Sequence, residues 1–195
     1  VFKIATVNLN PISSAFRKGF SQYVSNIQPD IFCVQETKLH ENSAKGVDNY
    51  IIDGYESYFI NCEQKKGYSG IGIYTKIKPI SVRHGFDEPE GRIMVMEFDK
   101  FYLVNVYGPN IGMKFDKGDY ISNVWGPKIV DLMTNLSKTK TVILCGDLNI
   151  GTSHLDVYDM NLYNKIMSKV KEMNNWLIDL LNNEFSDVFR SLYPE

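Results

Sequence analysis

Asp147 and Asn149 close the run Val142-Ile-Leu-Cys-Gly-Asp-Leu-Asn149. An extended strand turns residues i and i+2 to one side, so the two side chains emerge together at a strand end. Asp147 could deprotonate or orient a water, and Asn149 is a neutral amide able to hold a phosphate oxygen. Taken alone, Gly-Asp-x-Asn is also an ordinary way to leave a strand through a turn. Three other runs end in the same manner. Pro29-Asp-Ile-Phe-Cys-Val-Gln-Glu-Thr-Lys38 passes from an apolar core into Glu36 and Lys38. A carboxylate there suits a hard divalent cation, since Mg2+ takes oxygen ligands and needs only one or two protein carboxylates; the competing reading of Glu36 is a surface ion pair with Lys38. Val1-Phe-Lys-Ile-Ala-Thr-Val-Asn-Leu-Asn10 ends in Asn8 and Asn10, and Phe101-Tyr-Leu-Val-Asn-Val-Tyr-Gly-Pro-Asn110 ends in Tyr107 and Asn110 around a Gly-Pro turn.

With Gly67-Tyr-Ser-Gly-Ile-Gly-Ile-Tyr-Thr-Lys76, Glu90-Gly-Arg-Ile93, Leu155-Asp156 and Phe185-Ser-Asp-Val-Phe-Arg-Ser-Leu-Tyr-Pro194 in the same order and spacing, the chain resembles the exonuclease III group of abasic-site endonucleases, within the endonuclease/exonuclease/phosphatase superfamily. The resemblance implies a four-layer α/β/β/α sandwich of the DNase I-like kind and Mg2+-dependent hydrolysis of DNA 5′ of abasic sites, with 3′ exonuclease or phosphodiesterase activity beside it and Mn2+ as an alternative cofactor. Double-stranded DNA with abasic sites is the implied partner. By the same resemblance, Glu36 holds the metal with Asn8 beside it, Tyr107, Asp147 and Asn149 are catalytic, and Asn110, Lys38, Arg92 and Asp156 serve the substrate. Two alternatives stand against this: a DNA-binding or interaction module that keeps the fold without full catalysis, and another superfamily phosphodiesterase or phosphatase.

The match has departures. The first strand carries Val7-Asn8 where the family has Trp-Asn or Phe-Asn, Asn10-Pro11 stiffens the following loop, and Met113 stands where some members insert an arginine into DNA. The family also continues beyond the Phe-Arg-x-x-x-Pro segment to a final Ser-Asp-His that these 195 residues do not include. The expectation is a fold lacking its last strands, completed by a C-terminal segment or a second chain, because an uncovered sheet exposes apolar faces and edges.

Positioning these side chains requires strands, and apolar alternation predicts them near 2–8, 30–36, 56–61, 69–75, 92–98, 101–107 and 141–147. Three- and four-residue apolar spacing predicts helices over 13–27, 121–137 with a fresh turn at Gly126-Pro127, and 164–182, and a surface loop over 114–120. The length suits one domain over 1–195. No apolar run is long enough to span a membrane. Three cysteines without metal-ligand spacing read as reduced core residues, so an intracellular location is expected, nuclear in a eukaryote and otherwise cytoplasmic. The net charge of −2 gives no general attraction to DNA. Local cations must supply it: Lys65, Lys66, Lys76, Lys78, Arg83, His84 and Arg92, with Tyr68 and Tyr74, are the candidates for a phosphate path, and the equally weighted alternative is that the lysines are the ordinary solvated faces of hairpin strands.

Overall fold

The fold is described from a computed structural model in which residues 2–40, 47–112, 116–156, 158, 161, 173–182 and 184–194 are defined. Met113, and residues 164–172 of the third expected helix, lie outside them. The chain divides into two compact units, Val1–Gly108 with Lys140–Leu148, and Pro109–Thr139 with Asn149–Glu195.

Among its described residues the first unit holds eight strands in two sheets. One sheet has the order β1 (Ile4–Asn8), β2 (Ile31–Gln35), β4 (Ile71–Thr75), β3 (Glu56–Ile60); the other runs β5 (Ser81–His84), β6 (Ile93–Glu97), β7 (Phe101–Tyr107), β8 (Thr141–Asp147). Every expected strand is present. β5 is an addition: Ser81-Val-Arg-His has one apolar residue and no alternation to announce it, and it forms by antiparallel pairing with β6. The helix expected over 13–27 is instead two, α1 (Ile12–Arg17) and α2 (Phe20–Ile27). Gly19, at φ 92°, breaks it, a left-handed conformation that costs glycine little.

The sheets pack face to face through Ile31, Cys33, Ile71 and Ile73 of one and Met94, Met96, Phe101 and Leu103 of the other. Phe20 and Val24 of α2 cover the opposite face of the first sheet, against Phe32, Val34 and Tyr74. Tyr74 is fully buried and donates its hydroxyl to Tyr50 O at 2.7 Å, so it belongs to the core and not to a phosphate path. All three cysteines are free thiols.

A polar network crosses this apolar interface. Gln35 Nε2 donates to Asn105 Oδ1 at 2.7 Å, and Asn105 Nδ2 donates to Val34 O at 3.2 Å and Gly72 O at 2.9 Å. Both side chains are buried, and a satisfied buried network fixes one arrangement of the sheets where apolar contacts alone would tolerate slippage. Asn105→Ala should therefore lower the unfolding free energy by about 2 kcal/mol, the cost of stranding a buried polar partner. Urea denaturation with an unchanged m-value is the check.

In the second unit, α3 (Gly118–Tyr120), a π-helical turn (Ile121–Trp125) and α4 (Gly126–Ser137) run on without the expected break. Pro127 sits in the first turn of α4, where a missing N–H is tolerated, and the wider π turn precedes it. Gly118–Tyr120 corrects the expected surface loop there. Residues 173–182 form α5, whose Trp176 lies against Gly126 where a side chain would collide with the indole. α6 (Val188–Leu192) is capped by Asp187, which accepts from Arg190 N–H at 2.9 Å. Among the described residues no helix is long and apolar enough to cross a membrane.

Candidate functional site

Two parallel strand pairs bring the polar strand ends together. β1 and β2 are parallel with Asn8 opposite Gln35, and β7 and β8 are parallel with Tyr107 opposite Asp147. Parallel neighbours finish on the same side, so Asn8, Glu36, Tyr107 and Asp147 share one end of the sandwich of the first unit. The Asn8 amide closes the gap between the sheets: Nδ2 donates to Glu36 Oε1 at 2.9 Å and to Asp147 Oδ2 at 2.8 Å. Two carboxylates from strands more than a hundred residues apart thus share one NH2 group.

Glu36 is aimed by a left-handed backbone, φ 51°, and Lys38 repeats this at φ 54°. Such conformations cost a non-glycine residue of order 1 kcal/mol and persist only where surrounding contacts enforce them. Here Thr37 N–H donates to Gly70 O at 3.0 Å, Lys38 N–H to Ser69 O at 2.8 Å, and Ile12 N–H to Thr37 O at 3.2 Å. Gly70, at φ 84°, also leaves no room for a Cβ, which would stand 2.5 Å from Thr37 Oγ1.

Burial pushes the Glu36 carboxyl up, but hydrogen bonds from Asn8, Tyr107 and Lys38, with the charge of Lys38 at 3.2 Å, outweigh it and hold the carboxyl below its ordinary range. Glu36 is a carboxylate at neutral pH. Tyr107 moves the other way: burial, then its hydrogen bond to Glu36, pushes the phenol above its ordinary value against the opposing pull of Arg92. It remains a protonated donor facing the carboxylate. Lys38 also donates to Asn10 Oδ1.

Arg92 stands behind Tyr107 and is only 2% exposed. Its guanidinium lies 4.7 Å from the Tyr107 ring centroid, pairs with Glu90 at 2.6 Å, donates to Tyr107 O and Gly108 O at 3.2 Å, and reaches the Tyr68 hydroxyl at 3.0 Å. These contacts make it a support for Tyr107. Glu88, also buried, accepts from the backbone N–H of Glu90 and Arg92 and fixes the turn. Arg92→Met should lower Tm by several degrees and loosen the Tyr107 ring, and increased line broadening of the Tyr107 ring signals in NMR is the check. Sequence reasoning missed Glu90 and Tyr68 as partners of Arg92, because nothing in their spacing marks a buried ion pair.

The sequence-derived candidates therefore fall into two sets. Asn8, Glu36, Lys38, Arg92, Tyr107 and Asp147 come together in the first unit. Asn110, Asn149 and Asp156 belong to the second. Asn110 Oδ1 accepts from Gly112 N–H at 2.9 Å, and Asn149 has a left-handed backbone at φ 53°. Asp156 accepts from the N–H of Thr152 and Ser153 at 2.9 Å and pairs with Arg190 at 2.5 Å. Burial raises its carboxyl, but the Ser153 and Thr152 hydrogen bonds and Arg190 bring it below its ordinary range. Its contacts tie the loop after Asn149 to α6.

The first-unit set fits a small divalent cation. The Asn8 Oδ1 is buried without a hydrogen-bond partner among the described residues, an oxygen left over for a ligand. Beside it stand two carboxylates, the number Mg2+ requires of a protein that leaves the rest of its shell to water and phosphate. Among the described residues there is no group of three or more His, Cys, Asp or Glu side chains that could hold a metal ion.

The description of the Endonuclease/Exonuclease/phosphatase family matches residues 7–187. A Dictyostelium discoideum DNA-(apurinic or apyrimidinic site) endonuclease is 32% identical over 197 residues, covering 98% of this chain and 54% of that protein. A Bacillus subtilis exodeoxyribonuclease is 29% identical over 198 residues, covering 99% of this chain and 76% of that one. The solved structure of an AP endonuclease from Archaeoglobus fulgidus superposes with a TM-score of 0.81 at 26% identity, over 100% of this chain and 76% of that one. The chain thus spans about half the length of the first of these relatives.

Proposed function

Because this chain belongs to the endonuclease/exonuclease/phosphatase family, we propose that its protein hydrolyses DNA phosphodiesters 5′ of abasic sites with Mg2+ as cofactor, Mn2+ being able to replace it. The observation that carries this reading is the single Asn8 amide shared by Glu36 and Asp147, which sets a cation-binding carboxylate and a water-directed one side by side.

Glu36 and the Asn8 Oδ1 would hold the metal, whose chemistry when bound is to neutralise charge on the phosphate and the departing oxygen. Asp147 orients a water and takes its proton as the new P–O bond forms. The bond from phosphorus to the 3′ oxygen breaks, and that oxygen collects a proton to become a 3′ hydroxyl. The 5′ phosphate stays on the abasic residue. Tyr107, held as a protonated phenol, would turn its O–H from Glu36 to the phosphate; Arg92, itself held by Tyr68, keeps the Tyr107 ring in place. Lys38 offers charge beside Glu36. Asn110 and Asn149 are proposed as phosphate contacts and Asp156 as the residue that shapes the loop after Asn149.

The Dictyostelium discoideum relative supports the abasic-site substrate and the Bacillus subtilis relative an exodeoxyribonuclease activity on the same machinery. A DNA substrate supports the reading of an intracellular protein, nuclear in a eukaryote and otherwise cytoplasmic. The test is a duplex carrying one abasic analogue, incubated with the complete protein. Incision should require Mg2+, stop with EDTA and return with Mn2+. A product of equal yield in EDTA would overturn the metal assignment, and cleavage of RNA or a phosphoinositide in place of the duplex would overturn the substrate.

A further inference from the structure

A cavity of about 400 Å3 in the first unit takes no part in the site above. Its walls come from the segment after Lys38, from the end of β3 with its following turn, and from the end of β5. They present His40, Asn61, Cys62, Glu63, Lys66 and His84. Three of these groups can carry positive charge and one is an acid. Two buried polar atoms in its wall, His40 Nδ1 and Asn61 Oδ1, have no hydrogen-bond partner among the described residues. Buried polar atoms are almost always paired; the His40 ring nitrogen, when it carries a proton, is a donor that an anionic guest can satisfy, whereas the Asn61 oxygen only accepts and calls for a donor such as a water.

The walls are held in place. Glu63 N–H donates to Pro89 O at 2.9 Å, and Gly91 packs so close on the Asn61 backbone that a Cβ would stand 2.6 Å from its carbonyl carbon. The cavity is therefore braced by the same turn that carries Glu90 and Arg92. Position limits the guest further. His40 follows Glu36 by four positions, a span of at most about 14 Å between their Cα atoms. A DNA strand advances about 3.4 Å along its axis per nucleotide. A strand whose reacting phosphate lies at Glu36 therefore has other phosphates within reach of this cavity, up to about four nucleotides away by the same spacing.

We propose that this cavity is a second phosphate-binding site, taking a backbone phosphate of the DNA strand through His40, Lys66 and His84 at a short, fixed offset from the phosphate that is hydrolysed. This rests on the reading of the protein as a DNA hydrolase. It adds a register to that reading, because two phosphate grips on one strand fix where along it the incision falls.

The test uses the complete protein and its K66Q/H84Q variant, neither residue belonging to the catalytic set. Binding of an abasic-analogue duplex is measured in EDTA over a series of KCl concentrations, alongside the ring signals of His40, His84 and His154 in NMR during titration with inorganic phosphate and with the duplex. The expected result is a five- to tenfold weaker duplex affinity for the variant at low salt and a salt slope smaller by about 0.9, the loss of one phosphate contact. The duplex should shift His40 and His84 saturably in the unaltered protein. A phosphate-induced shift of those two rings with no change in the variant's salt slope would show a free-phosphate pocket and overturn the proposal. Absence of any saturable shift would overturn it as well. Failure of the unaltered protein to incise, with the slope difference intact, would strike the hydrolase reading and leave the second phosphate site standing.

Discussion

Asp147→Asn is expected to slow single-turnover incision of an abasic duplex by about 10^3-fold, the middle of the range for removing a positioned general base. The substitution is nearly isosteric, and the new amide oxygen can still accept from Asn8 Nδ2, which now bonds Asp147 Oδ2 at 2.8 Å. Stability should change little, so the rate reports on proton transfer and not on unfolding. Duplex binding in EDTA should be retained or improved, since a negative charge facing the phosphate is removed. Single-turnover kinetics at saturating enzyme separates the two quantities. A variant within tenfold of the parent would remove Asp147 from the chemistry.

Glu36→Gln is the second large effect. It takes away one of the two carboxylates beside the Asn8 oxygen and should lower incision by about 10^2- to 10^3-fold at ordinary Mg2+, given the several kcal/mol a bound cation contributes to phosphate charge stabilisation. Unlike Asp147→Asn, part of the loss should return as Mg2+ is raised, because the deficit lies in affinity. A Mg2+ titration of rate distinguishes them: no recovery at high Mg2+ would show that Glu36 acts in some other way. The variant also carries a pH signature. The folded Glu36 carboxyl is held below its unfolded value by Asn8, Tyr107 and Lys38 against the opposing effect of burial. The stability it contributes is present above the unfolded value, about pH 4.3, and is lost as pH falls through the folded one. Below that window the parent's advantage over the Gln variant should vanish, which Tm measured against pH would show.

Much of this arrangement could be read from residue types. Asp147 and Glu36 are legible because four apolar runs of this chain end in polar groups, a recurrence that a turn or a surface ion pair at any one of them does not account for, and the parallel pairs that unite them follow from strands separated by helical segments. What spacing cannot convey is burial of the polar groups. Arg92 reads as an exposed cation near DNA and is instead enclosed between Tyr107, Tyr68 and Glu90. Tyr74 reads as an aromatic neighbour of the phosphate path and is core. The helix over 13–27 keeps its apolar stripe across Gly19, so periodicity continues where the backbone does not. β5 escapes because an edge strand with one inward residue has no pattern. His40 and Asn61 escape because a cavity is a property of walls from distant segments.

The Gln35–Asn105 bridge has a bearing on motion. Gln35 precedes Glu36 directly, and Asn105 lies two residues before Tyr107, so the cross-sheet contact ends where the candidate site begins. Local opening follows the weakest cooperative patch of a protein, and a strand tip would ordinarily be such a patch. Here the tips of β2 and β7 are fastened to each other, and their amide protons should be among the last in the first unit to exchange with D2O. Glu36 and Tyr107 would then be held in place before any ligand arrives.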